Sequence, residues 1–230
     1  MTLTAAHLDR AAGVLVGQAC GDALGVPYEF ASPPTGEPEM RGGGLGPYAP
    51  GEWSDDTQMA ICIARVAATG TDLTSAPALD EIAAAFERWL TDGASDVGVQ
   101  TGTLLRSVAR LEGPRGEVLR EASRLNHEHT GRTAGNGALM RTAVVGLTRL
   151  GDREATAAAA RGVAELTHFD PLAADSCVLW CELVRRGVVE DALAPLDLDL
   201  IPAERQDRWR EWIDEVIADP TPARFPNNGY

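Results

Sequence analysis

The sequence predicts an all-α protein, a compact orthogonal multi-helix bundle. Three observations carry this. Apolar residues return at spacings of three and four in segment after segment. Glycines and prolines cluster between those segments. No alternation of apolar and polar residues of the kind a strand needs runs beyond four positions. With 230 residues, 44% of them hydrophobic, the chain is long enough to bury a core, and one domain spanning 1–230 is expected.

The first helix is expected over 4–24, with Thr4 as N-cap and Leu8, Ala11, Ala12, Leu15 and Ala19 in helical register. Gly13, Gly17, Gly21 and Gly25 form a stripe along it. Each glycine costs up to about 1 kcal/mol inside a helix, so the stripe predicts close approach of another helix or a ligand. A long loop over 28–53 follows, broken by Pro33-Pro34, Gly42-Gly43-Gly44 and Pro47. Loops of that length inside a compact domain usually carry function. Further helices are expected over 56–69, 76–91, 98–111 and 115–126. A polar loop over 128–136 separates these from helices over 137–150, 152–167, 171–186 (stopped by Gly187) and 203–218. The last shows a stripe of Trp209, Trp212, Ile213 and Val216.

The net charge of −14 argues against non-specific nucleic-acid binding and against a polybasic membrane patch. No apolar run approaches the length of a membrane span. Cys20, Cys62, Cys177 and Cys181 form no C-x-x-C pair, and each lies in an apolar helical run. Reduced core thiols in a cytoplasmic protein are the expectation.

One short run stands out: Ser54-Asp55-Asp56, followed by Thr57. It sits between the glycine-rich loop and a helical pattern. The plain reading is a helix N-cap, because Ser and Asp satisfy free N–H groups there. The chemical reading starts from repulsion. Two adjacent carboxylates in a partly buried site raise each other's pKa unless a cation intervenes. Hard divalent ions prefer such hydroxyl and carboxylate oxygens. His127-Glu128-His129 also has the look of a metal tract, but it lies in a polar stretch and reads better as solvated surface.

Four segments stand in order along the chain: Gly13 to Glu29, Gly51-Glu-Trp-Ser-Asp-Asp-Thr-Gln-Met59, Gly135-Asn-Gly-Ala-Leu-Met-Arg141 and Thr167-His-Phe-Asp-Pro-Leu-Ala-Ala174. Together, and with a weaker fifth, Asp96-Val-Gly-Val-Gln-Thr101, they resemble the motifs of the ADP-ribosylglycohydrolase family. The resemblance implies the family's all-α fold and a metal-dependent hydrolase. Such an enzyme removes ADP-ribose from a modified acceptor by cleaving the bond at the ribose anomeric carbon. It also implies two divalent cations, Mg²⁺ or Mn²⁺, with Ser54, Asp55 and Asp56 as ligands. Glu29 and Asp56 match its catalytic carboxylates. Asp96, the loop Thr133-Ala134-Gly135-Asn136-Gly137 and His168 match its ADP-ribose contacts, while Arg141 serves either the ligand or the local structure.

One family feature is missing. The resemblance implies a late Gly-Asp-x-Asp-Thr motif that supplies the remaining metal ligands, and no such run occurs here. Asp197-Leu-Asp199 has the spacing but lacks the following threonine and reads as a charged loop. The expectation is therefore an N-terminal portion of such a fold, with Phe225 to Tyr230 as the entry to a further helix. A chain with half the ligands should bind metal weakly. A non-catalytic ADP-ribose binder, or a structural protein of the same fold, is the alternative.

Overall fold

The structure, a computed structural model, describes residues 1–31, 34–193, 196–221 and 224. Pro33, Pro195, Pro222 and the segment Phe225–Tyr230 lie outside the described residues. Within them the fold is all-α. Eight α-helices are joined by loops and three 3-10 turns, with one isolated antiparallel bridge between Gly43 and Tyr48. No described helix is long and apolar enough to cross a membrane.

Helix α1 (Ala5–Gly25) opens on a reciprocal cap. The Thr4 hydroxyl accepts from His7 N–H, and His7 Nδ1 accepts from Thr4 N–H, both at 3.2 Å. The glycine stripe meets no neighbouring helix among the described residues. A Cβ placed on Gly13, Gly17, Gly21 or Gly25 would meet nothing within 4 Å among the described residues. Leu8, Leu15 and Val16 are exposed on the same helix, so much of α1 faces outward. Cys20 is exposed too, against expectation, whereas Cys62, Cys177 and Cys181 are buried.

A 3-10 turn (Val26–Tyr28) follows, and the glycine-rich loop folds back against it. Gly44 is required there: φ is +76°, and a Cβ would stand 2.2 Å from the Val26 carbonyl oxygen. Helices α2 (Asp55–Ala67), α3 (Ala76–Thr91), α4 (Val99–Val108) and α5 (Arg115–Thr130) then pack in succession, α2 on α3 and α3 on α5. On α3, Ala78, Ile82, Ala83 and Phe86 are all buried, as their spacing demands. Helix α5 outlasts its expected end and carries His127, Glu128 and His129 in its last turn. Polar residues do not stop a helix, and Gly131 in the left-handed conformation (φ 59°) does.

The expected helix over 137–150 is replaced by two 3-10 turns, Leu139–Arg141 and Ala143–Leu147. Thr142 and Thr148 explain part of this. Their hydroxyls donate to carbonyls three residues back, Leu139 O at 3.1 Å and Val145 O at 2.8 Å, which favours the tighter turn. Helices α6 (Arg153–Glu165) and α7 (Pro171–Glu190) pack against each other, and α7 also covers the second of these turns. Helix α7 runs through Gly187, contrary to expectation, to Asp191 at φ 55°. Arg185 and Arg186 both pair with Glu190 and tie down its last turn. On α8 (Ala203–Ala218) no residue is buried: Trp209 leans on the core, while Trp212 and Val216 stay exposed. Asp199 pairs through both oxygens with Arg153 at 2.7 Å, consistent with a charged loop.

The core is continuous from α2 to α7, through Met59, Ile63, Ile82, Phe86, Leu105, Leu119, Val145, Val163 and Cys177.

Candidate active site

The site is assembled where the C-terminal end of α1 meets the N-terminus of α2. Ser54 occupies the N-cap position, yet its side chain makes no cap bond. The cap comes from Asp22, on α1. Its carboxylate accepts from Ser54 N–H at 3.0 Å, Thr57 N–H at 3.0 Å and the Ser54 hydroxyl at 2.6 Å. A carboxylate at the positive end of α2 is electrostatically favoured. It also fixes Ser54, Asp55 and Asp56 in one orientation. Sequence reading missed Asp22, although it lies inside the first segment that carries the family resemblance.

A cleft of about 410 Å³ opens beside this junction. Glu29, Asp55, Asp56 and Asp96 line it together with Gly135, Asn136, Gly137 and His168. Residues from five separated segments thus converge there. Ser54 stands behind the wall, against Asp22. Thr133 is buried, its hydroxyl 2.6 Å from His127 Nδ1, and neither it nor Ala134 lines the cleft. His127 therefore buttresses the loop rather than facing solvent alone. The loop leads into a three-residue 3-10 turn, not a full helix, so little helix dipole backs it. Arg141 is fully buried and outside the cleft lining, stacked 4.5 Å from the Phe86 ring centroid. Volume alone would not find the site: in a groove of about 700 Å³ between α2 and α3, Glu52, Glu81 and Asp92 share the lining with Arg65 and Arg88, whereas no arginine lines the smaller cleft.

The electrostatics mark the cleft more sharply. Asp55 is pushed up to about 7, first by burial and then by Asp56, Asp96, Glu29 and Asp22. Asp56 rises to about 6, through burial and the charge of Asp22. Glu29 and Asp96 are raised as well, chiefly by burial, with the neighbouring carboxylates adding to it. Such a surplus of negative charge favours a cation. Mg²⁺ fits this donor chemistry, since it takes one or two carboxylates and keeps several waters. Among the described residues no three His, Cys, Asp or Glu side chains close around one point. An ion at Asp55 and Asp56 would complete its shell from water, ligand hydroxyls or further polypeptide.

The shift has a consequence for stability. A carboxylate raised on folding contributes stability fully below its unfolded value, 3.8 for Asp55, and loses it as pH rises through the folded value of about 7. Asp55→Asn is neutral throughout. In metal-free buffer it should gain on the parent protein by roughly 2–4 kcal/mol between about pH 5 and about pH 8. Urea titrations at both pH values check this, and an offset independent of pH contradicts it.

Comparison with known proteins follows the same lines. The ADP-ribosylglycohydrolase family pattern matches residues 3–230. An ADP-ribosylarginine hydrolase, Tri1, of Pseudomonas putida (strain GB-1) is 34% identical over 204 residues, covering 85% of this chain and 52% of that protein. An ADP-ribosyl-[dinitrogen reductase] glycohydrolase of Rhodospirillum rubrum is 32% identical over 188 residues, covering 77% of this chain and 57% of that protein. A solved ADP-ribosylglycohydrolase-related protein complex superposes with a TM-score of 0.62 at 28% identity, over 81% of this chain and 60% of that one. The chain thus spans about half the length of the relatives it matches.

Proposed function

The chain belongs to the ADP-ribosylglycohydrolase family, and we propose that it acts in hydrolysing the bond between ADP-ribose and an arginine side chain of a modified protein. The convergence of Glu29, Asp55, Asp56 and Asp96 on one cleft is the observation that carries this reading. A cluster of carboxylates complements a guanidinium acceptor, and the relatives named for ADP-ribosylarginine agree with that choice.

Hydrolysis breaks the bond from the anomeric carbon to the acceptor nitrogen and makes one to water oxygen. The water loses a proton and the leaving nitrogen gains one. Positive charge develops on the ribose in between. The carboxylates favour that charge by position alone. Glu29, at the cleft rim with its proton affinity raised, is placed to pass the proton from water to the leaving group. Asp55 and Asp56, held by Asp22 and Ser54, would hold one or two divalent ions, Mg²⁺ or Mn²⁺. A bound ion would orient the ribose diol and acidify a water. Gly135 and Gly137 line the cleft, and their backbone N–H groups are the donors offered to a diphosphate or ribose there.

Glu29→Gln tests the proton role. Turnover on ADP-ribosylated arginine should fall at least about tenfold, within the usual range for a general acid or base, while ADP-ribose affinity changes less. An unchanged rate removes Glu29 from the chemistry.

A further inference from the structure

Arg141, Thr167 and His168 form a buried chain beneath the cleft. Arg141 and Thr167 are wholly buried, and His168 is 2% exposed. Arg141 Nη2 donates to Thr167 Oγ1 at 2.7 Å, and Thr167 Oγ1 lies 2.8 Å from His168 Nδ1. A guanidinium only donates, so Oγ1 accepts from Arg141. Were the His168 proton on Nδ1, Oγ1 would accept twice, and its own proton would be left without an acceptor among the bonds formed here. Buried donors are rarely left so. In the other arrangement the Thr167 hydroxyl both accepts and donates, while Arg141 Nε has no partner in either. Thr167 donates to a bare Nδ1, and the imidazole proton sits on Nε2. The far side of the ring borders Gly137, where a Cβ would come within 2.9 Å of Cε1 and 3.1 Å of Nε2. Glycine is needed there for the ring to line the cleft.

We propose that Arg141 and Thr167 are positioning residues that lock His168 as a neutral ring with its Nε2–H presented to the cleft, as donor to an acceptor-only oxygen of the ADP-ribosyl group. The ligand clause rests on the function proposed above. Burial, and next the Arg141 charge, push His168 down to about 3, so the ring stays neutral through the physiological range. His168 is thus a fixed hydrogen-bond donor to the ligand, and neither a base nor a cation. Arg141 itself is lowered by burial only to about 10 and stays charged.

Long-range proton–nitrogen correlation of the histidine rings in ligand-free protein tests the relay, with His168 assigned by its loss in His168→Asn. The parent protein and Thr167→Ser should both carry the proton on Nε2. In Thr167→Val, which keeps the volume but not the hydroxyl, the ring should populate both tautomers. ADP-ribose affinity should fall about tenfold in Thr167→Val, the worth of one hydrogen bond, and recover in Thr167→Ser. A proton on Nδ1 in the parent protein overturns the relay, as does a Thr167→Val protein with Nε2–H alone and parental affinity. A ring that behaves as expected in a protein that binds no ADP-ribose upholds the relay and overturns the ligand assignment.

Discussion

Asp56→Ala should lower ADP-ribose release by at least about a hundredfold, in the range seen when one charge-stabilising group is removed from an active site. Asp56 borders both the cleft and the buried Asp55, and its proton affinity is raised by burial and by Asp22. It therefore sits where positive charge, ionic or developing on the ribose, is most needed. The fold should not suffer. A carboxylate held against its neighbours' repulsion costs stability, so its loss leaves the thermal midpoint equal or higher. Native circular dichroism with lost turnover is the expected pair of results. Asp199→Ala, which removes a partner of Arg153 away from the cleft, should leave the rate unchanged. Turnover that survives Asp56→Ala would detach this carboxylate from the chemistry.

Asp22→Ala should have the opposite balance, costing both stability and activity. Three hydrogen bonds disappear: two to the free N–H groups that open α2 and one to the Ser54 hydroxyl. Loss of a helix cap costs about 1 kcal/mol, and charge-assisted bonds more, so roughly 2–3 kcal/mol is expected in urea unfolding. Removing Asp22 also relieves some repulsion at Asp55 and Asp56, but the partly buried N–H groups left without an acceptor outweigh that relief. Turnover should fall well below the unfolding midpoint, because Ser54 and both aspartates lose the group that orients them. Asp22→Asn should fall between, since an amide keeps one accepting oxygen but turns its NH₂ toward N–H donors. A stability change under about 0.5 kcal/mol, the usual scale of surface substitutions, would show that α2 is capped in another way.

Much of the fold was legible because its signals are local. Thr4 caps α1 as expected, and α3 and α8 occupy the expected ranges. The failures share a cause. Asp22 reads as one more polar residue in a helix, and the groups that give it meaning lie 32 and 35 residues away. Gly187 reads as a stop, but the Arg185 and Arg186 pairs with Glu190 carry α7 past it. Residues 139–147 have helical composition, yet threonine back-bonds and the packing of α7 select tighter turns. The glycine stripe of α1 names a close approach that no described residue makes.

The candidate site divides similarly. Composition and spacing pointed to Asp55 and Asp56, whereas Glu29, Asp96 and His168 came only from resemblance, and folding brings them to the same cleft. Thr133 was grouped with the ligand loop because it is adjacent in sequence. Its burial against His127 makes it a support for that loop.

Titration of ADP-ribose into the protein with and without Mn²⁺, followed by calorimetry, decides whether this acidic cleft takes ADP-ribose together with divalent ions at Asp55 and Asp56. Coupling between two ligands is reciprocal. Mn²⁺ should tighten ADP-ribose binding at least about fivefold, the lower end of ordinary coupling energies, ADP-ribose should tighten a weak Mn²⁺ site equally, and Asp56→Ala should abolish both effects. ADP-ribose affinity that is the same with Mn²⁺ and with chelator would contradict joint binding.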